Sequence, residues 1–316
     1  MPSSSRRRMC PSSVSPQITT LNTIILEVLP LKFALLGGDS RSAMLAGLLA
    51  EDGHLVHTYC LEKAGPSPEL TAAGCLQSAL YGADWVLLPV PAEKAGRLNA
   101  PLSAQSLEME ELMAALWPGQ SLCGGRLSPG SALSAVRAGI RVYDLMQRRS
   151  FTVGNAAITA EAAVQKLMDA RPRCLMGSHV LITGYGRIAS LLAPKLRALG
   201  AYVSIAARKA GDRAMAAALD LGCCSFKALP LIIEDVDYVV NTVPAPVLEE
   251  RLLRRLKKSA VLLELASAPG GFDVDTATKL GLCVIRAPGL PGEYAPISAA
   301  ELMRDSIYAI IAEEEE

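Results

Sequence analysis

Apolar runs of four or five residues alternate along the chain with longer stretches whose apolar positions recur at helical spacing. Short continuous runs read as strands buried on both faces and the stretches between them as helical crossovers, the pattern of a parallel sheet covered on both sides. The first unit opens with Lys32-Phe-Ala-Leu-Leu36, then Gly37-Gly38-Asp39-Ser40-Arg41, then a helix carrying Leu45, Leu48 and Leu49 as far as Asp52-Gly53. Further strands are expected at Leu55 to Tyr59, Trp85 to Val90, Ser121 to Gly124 and Arg141 to Asp144. Pro89-Val-Pro91 ends one of them, because proline cannot donate to a central ladder. The stretch Asn155 to Ala170 reads as a connecting helix closed by Arg171-Pro172. A second unit begins at Gly177, with strands at His179 to Thr183, Tyr202 to Ala206, Tyr238 to Asn241, Val261 to Leu265 and Leu282 to Ile285. The last helix is expected to open on the capping box Ser298-Ala-Ala-Glu301. Its four terminal glutamates oppose the helix dipole, so the last turn should fray.

The fold class that follows is α/β: two Rossmann-like doubly wound parallel-sheet domains joined by a connecting helix, with the C-terminal helix packing back toward the first domain. The expected divisions are a disordered arm over 1–30, a flavodoxin- or Rossmann-like substrate domain over 31–152, and a connecting helix and linker over 153–176. A dinucleotide-binding domain over 177–292 and a C-terminal helix over 293–316 complete the chain. Its 316 residues suffice for two such cores.

Composition narrows the function classes. Lys+Arg and Asp+Glu balance at 31 each, which argues against nucleic acid or an anionic membrane as partner. Hydrophobic residues make up 51%, yet no apolar run reaches the roughly 18 residues of a membrane-spanning helix. Arg6-Arg7-Arg8 and the short apolar segment Leu21 to Leu29 lack the form of a signal peptide. The 8 cysteines form no C-x-x-C pair, so no metal site is expected; they read as small buried hydrophobes in a reducing cytoplasm.

The chemistry begins at Gly184-Tyr185-Gly186-Arg187-Ile188-Ala189, directly after a buried strand. The first glycine makes the tight turn, the second lets backbone approach a pyrophosphate, and Ala189 lets the helix pack on the sheet. The helix that follows offers free amides and a positive dipole end to phosphates. It also contains Pro194, which removes one backbone bond and should kink it. NAD proteins usually carry an acidic residue at the end of the second strand; here Ala207-Arg208-Lys209 stands instead, and a guanidinium suits a 2′-phosphate. NADP is therefore the expected cofactor. Asn241-Thr242-Val243-Pro244 and Ala266-Ser267 end the next two strands, at the edge where open α/β sheets bind ligands. A histidine acid/base is not expected, since His54, His57 and His179 all fall at structural positions.

Gly37-Gly-Asp-Ser-Arg41, Asn155-Ala-Ala-Ile-Thr-Ala-Glu161, Gly184-Tyr-Gly-Arg187 and Ala207-Arg208 recur in a known pattern, followed by Asn241-Thr-Val-Pro244, Leu265-Ala-Ser-Ala-Pro-Gly-Gly271 and Ala287-Pro-Gly-Leu-Pro-Gly292. In this order the segments resemble the dipicolinate synthase A-subunit family, from about Leu31 to the last helix. Ala268 departs from that pattern, which has a basic residue there in some relatives. The resemblance implies oxidation of dihydrodipicolinate, or its hydrated precursor, to dipicolinate with NADP. It also implies an oligomer, a flavoprotein-like dipicolinate synthase B-subunit for partner, and the cytoplasm of the mother cell in a sporulating bacterium. A substrate with two carboxylates needs cations or amides, so Arg41 is expected as a clamp, with Asn155 and Thr159 at the domain junction and the amides of Gly270 and Gly271. Glu161 as base and Ser267 are the expected catalytic residues. Leu290 and Pro291, in a stiff proline-rich loop, are expected beside the cofactor with Ala266. The alternatives are another two-domain NADP dehydrogenase, shikimate- or alanine-dehydrogenase-like, and a non-catalytic nucleotide-binding scaffold. The Lys/Asp pair of shikimate-type enzymes is not found in the first unit.

Overall fold

The computed structural model describes residues 30–65 and 70–315, so nearly all of the arm expected over 1–30 lies outside the described residues. In the first domain β1 (Lys32–Leu36), β2 (Leu55–Tyr59), β3 (Thr71–Ala72), β4 (Trp85–Leu87), β7 (Ser121–Gly124) and β8 (Arg141–Asp144) form one sheet in the order β3-β2-β1-β4-β7-β8. All its pairings are parallel. A separate antiparallel hairpin of β5 (Glu93–Lys94) and β6 (Arg97–Leu98) follows β4. The second sheet repeats the order as β11-β10-β9-β12-β13-β14, built from β9 (His179–Thr183), β10 (Tyr202–Ala206), β11 (Gly222–Cys224), β12 (Tyr238–Asn241), β13 (Val261–Glu264) and β14 (Cys283–Arg286). This is the dinucleotide-binding strand order, and the chain reverses direction across the sheet between β1 and β4 and again between β9 and β12. Each reversal opens a crevice at the strands' carboxyl ends. The edge strands β3 and β11 escape the hydrophobic pattern because they are short and largely exposed.

Helices α1 (Ser40–Glu51), α2 (Leu76–Leu80), α3 (Met109–Ala115) and α4 (Pro129–Arg137) serve the first sheet, and α6 (Arg187–Ala198), α7 (Ala210–Ala218), α8 (Glu250–Leu253) and α9 (Val274–Lys279) the second. Between them runs α5 (Arg149–Asp169), 21 residues long. It starts six residues before the expected Asn155, because Phe151 already packs with Leu45 and Leu145 in the first core. Further along, its Ala160, Ala162, Ala163 and Leu167 belong to the second core. One helix is thus shared by both cores, a stronger coupling than a linker provides.

After a short α10 (Leu290–Tyr294), α11 (Pro296–Glu315) returns to the first domain, where Met303, Ile307 and Ile310 pack with Phe33 and Leu35. It begins at Pro296 rather than at the expected Ser298, since proline is preset for a first helical turn. Its C-terminal turn does not fray as expected. Glu313 pairs with Arg148, and Glu314 accepts from Arg141 and from the Tyr143 hydroxyl. Three groups of the first domain thereby offset the unfavourable dipole. Likewise α6 continues through Pro194, which sits on its exposed face. Of the seven described cysteines only Cys60 and Cys123 are buried, contrary to the expected burial of all; Cys75, Cys174, Cys223 and Cys283 are exposed. Burial pushes the Cys123 thiol up to about 12.

Asp237 closes the amino end of the second sheet, accepting from the His179 amide and from Lys257 Nζ, both at 3.0 Å. Burial pushes its carboxyl up, but the amide and the ammonium outweigh burial and hold it below the usual carboxylate range. A depressed pKa stabilises the fold above the unfolded value and loses that effect as pH falls through the folded one. Asp237→Asn should therefore cost about 1 kcal/mol at pH 7, a deficit that vanishes in urea titrations taken below the carboxylate range. A deficit that stays constant with pH would refute the ion-pair explanation.

Candidate dinucleotide site and interdomain cleft

The glycine turn joins β9 to α6 at the crevice of the second sheet. Gly184 has φ +89°, donates its amide to Ala206 O at 2.8 Å, and lies so close to the next loop that a Cβ would meet Thr242 Oγ1 at 2.7 Å. Only glycine satisfies both conditions. Gly186 caps α6, and a Cβ built there meets nothing within 4 Å, so open space fronts the helix end. The first intrahelical donor is Ser190, bonded to Gly186 O at 2.9 Å, which leaves the amides of Arg187, Ile188 and Ala189 ahead of it. Those amides and that space fit a pyrophosphate. Ile188 and Tyr185 are half-buried against the second core; burial and then Asp212 push the Tyr185 hydroxyl up, and it has no partner among the described residues. Arg208 and Lys209 stand exposed at the end of β10, their loop fixed by Arg213, whose Nη1 donates to Ala207 O and Arg208 O.

Beside the turn lies a buried polar network that the sequence pattern does not announce. Thr183 Oγ1 donates to Asn241 Oδ1 at 2.6 Å, and Asn241 Nδ2 donates to Glu264 Oε1 at 2.6 Å. Glu264 also accepts from the Ala266 amide at 2.9 Å and the Gly271 amide at 2.8 Å. Only 4% of Glu264 is exposed and no cation faces it among the described residues, so these three N–H groups are what make its burial tolerable. The network spans the carboxyl ends of β9, β12 and β13. It holds the 266–271 loop against Asn241 so closely that a Cβ at Gly271 would lie 2.3 Å from the Asn241 side chain. A faint signal does exist in the sequence: Glu264 is a charged residue within the apolar run Val261 to Leu265.

Several expected ligand groups are already engaged. The Gly271 amide goes to Glu264 and the Gly270 amide to Ser267 O, so neither is free for a substrate carboxylate. The Asn241 amide group is fully used, since Val243 supplies both an N–H to it and a carbonyl for it. Its side chain thereby shapes the Thr242-Val243-Pro244 loop. Leu290 and Pro291 are buried, Leu290 within the second core, so neither side chain is offered to a ligand. Thr159 is buried with its hydroxyl bonded to Asn155 O at 2.7 Å, inside α5 rather than at its start. Glu161 faces outward to Lys195 at 3.0 Å, in a groove with Met168, Leu199 and Tyr294. It pairs there with Lys195 and takes no part in the Glu264 network that holds the Ser267 loop.

Across the cleft, the first sheet presents its own carboxyl edge. Arg41 is only 6% exposed, donates Nε and Nη2 to the Asp39 oxygens and Nη2 to Val90 O, so two of its three guanidinium nitrogens are engaged internally. The Asp39–Arg41 pair packs against Gly292, where a Cβ would meet Asp39 Oδ2 at 2.7 Å. Arg41 is thereby held at the domain junction by its Nε and Nη2 groups. A second contact joins the two edges: Arg126 Nη1 donates to Ser267 Oγ at 3.3 Å.

Comparison with known proteins bears on both halves. A model of the N-terminal domain of the dipicolinate synthase A-subunit matches residues 32–146. A curated dipicolinate synthase A-subunit from Bacillus subtilis is 27% identical over 290 residues, covering 90% of this chain and 96% of the relative. The chain is thus similar to dipicolinate synthase A-subunits along nearly its whole described length. The crystal structure of the dipicolinate synthase A chain from Bacillus subtilis superposes with a TM-score of 0.77 at 25% identity, covering 92% of this chain and 99% of that one. That of the A-subunit from Bacillus halodurans gives 0.77 at 24%, covering 89% and 98%. Residues 133–270 match the NAD binding domain of D-isomer specific 2-hydroxyacid dehydrogenases. The second domain is therefore a nicotinamide-dinucleotide-binding domain of oxidoreductase type, and among the described residues no helix is long and apolar enough to cross a membrane.

Proposed function

We propose that the chain is the subunit of a dipicolinate synthase that oxidises dihydrodipicolinate, or its hydrated precursor, with NADP. The observation that carries this reading is the match to a dipicolinate synthase A-subunit over 96% of the relative's length, which includes both sheets and the loops of the cleft. We assign 177–292 to the cofactor and 31–152 to the substrate. A bound nicotinamide supplies the hydride acceptor. The chain's own residues position the reactants: the α6 amides take the pyrophosphate, Arg208 the 2′-phosphate, and the loop held by Glu264 places Ser267 at the cleft. Removal of a hydride and a proton leaves an aromatic pyridine ring, so the step runs downhill. Positioning then becomes the main contribution, worth several kcal/mol when reacting atoms are held close. The protein is read as acting in the cytoplasm of the mother cell, together with a flavoprotein-like B-subunit.

Purified protein, alone and with that second subunit, should convert dihydrodipicolinate and NADP to dipicolinate and NADPH, both seen by absorbance. No turnover in either form, with NADP binding intact, would favour a scaffold that binds nucleotide without catalysis.

A further inference from the structure

With Arg41 tied to Asp39 through Nε and Nη2 and the Gly270 and Gly271 amides spent, an exposed guanidinium of the first domain, that of Arg126, touches the cofactor-side loop. Arg126 follows Gly124-Gly125 at the carboxyl end of β7. Both glycines are wedged tightly: a Cβ at Gly124 would meet Leu88 Cβ at 2.9 Å, and one at Gly125 would meet Val90 Cγ1 at 2.7 Å. Arg126 itself has φ +57°, in the left-handed region that side-chain-bearing residues seldom occupy, and its amide is tied to Asp144 Oδ1 at 2.9 Å. The backbone is thus fixed while the side chain stays exposed, with Ser267 Oγ its single polar partner among the described residues. Backbone held in a sparsely occupied conformation beneath a free cation points to a ligand role rather than a structural one.

We infer that Arg126 and Ser267 together bind one carboxylate of the planar dicarboxylate substrate, so that the two domains share the ligand. This rests on the reading above that the substrate is a ring dicarboxylate. A hydroxyl that accepts from Arg126 has its own proton left to donate, and the guanidinium keeps further N–H groups for the same anion. Carboxylate and guanidinium match in a two-bond fork that lysine cannot reproduce. Ala268 carries no charge at this loop, so the cation reaches it from the other domain. In the sequence only the glycine pair marks the neighbourhood of Arg126, which is why its role emerges from the fold.

Calorimetric titration of dipicolinate into full-length protein saturated with NADPH tests the site. Arg126→Gln should weaken dipicolinate roughly 10- to 100-fold and leave the NADPH Kd unchanged, with Arg126→Lys recovering part of the loss and Ser267→Ala losing less. An Arg126→Gln protein that binds NADPH normally and dipicolinate within two-fold of wild type overturns the assignment, as does wild-type protein with no dipicolinate binding. Dipicolinate binding that depends on Arg126, without turnover of dihydrodipicolinate, would leave this site standing and sink the proposed reaction. Turnover unaltered in Arg126→Gln would do the reverse.

Discussion

Glu264→Ala should lower the stability of the protein by about 3 kcal/mol and remove most of its oxidoreductase activity. The carboxyl group accepts from Asn241 Nδ2 and from the amides of Ala266 and Gly271. Alanine leaves those three donors facing a cavity, and each unsatisfied buried donor costs about 1–3 kcal/mol. Against that stands the relief of no longer burying a carboxyl without a cation, which keeps the net below the simple sum. Glu264→Gln separates charge from shape, since its NH2 must face at least one N–H; about half the loss is expected. The midpoint of urea denaturation and kcat/KM read the two effects together. A shift below about 1 kcal/mol with normal activity would mean that the Ser267–Gly271 loop holds its shape without the network.

The second large effect falls on cofactor choice. Arg208→Ala should weaken NADP by about 2 kcal/mol, roughly 30-fold, and NAD by less than about two-fold. The basis is local: β10 ends on Ala207-Arg208 without a carboxylate, and the Arg208 side chain is exposed while Arg213 holds its backbone. The acidic residue that could serve ribose hydroxyls instead is Asp212, in the first turn of α7. Equal weakening of NADP and NAD by Arg208→Ala, with loss of NAD binding in Asp212→Asn, would move the assignment to NAD. Fluorescence titration of the reduced dinucleotides distinguishes the cases.

Most of the sheet architecture was legible because strands buried on both faces write themselves as apolar runs. Lys32–Leu36, Leu55–Tyr59, His179–Thr183 and Tyr202–Ala206 coincide with the expected ranges. What misled was context beyond a local window. The start of α5 is set by Phe151 packing in the first core, which the Asn155 pattern does not contain. The last turn of α11 is held by Arg141 and Arg148, far away in sequence on the first domain. The site was legible only in part. The glycine turn follows from backbone geometry that sequence records directly, whereas the availability of a donor does not. Arg41 and the Gly271 amide have suitable chemistry and are already bonded, while Arg126 becomes conspicuous only once its free guanidinium is seen against Ser267.

The proposed reaction passes a hydride from a ring dicarboxylate to a nicotinamide held by the second domain. Dihydrodipicolinate deuterated at its saturated ring carbons, mixed with NADP, the protein and its second subunit, tests it by the mass of the reduced dinucleotide. NADPH should carry one deuterium for each dipicolinate formed. Dipicolinate appearing with no reduced dinucleotide, or with NADPH free of deuterium, would contradict it.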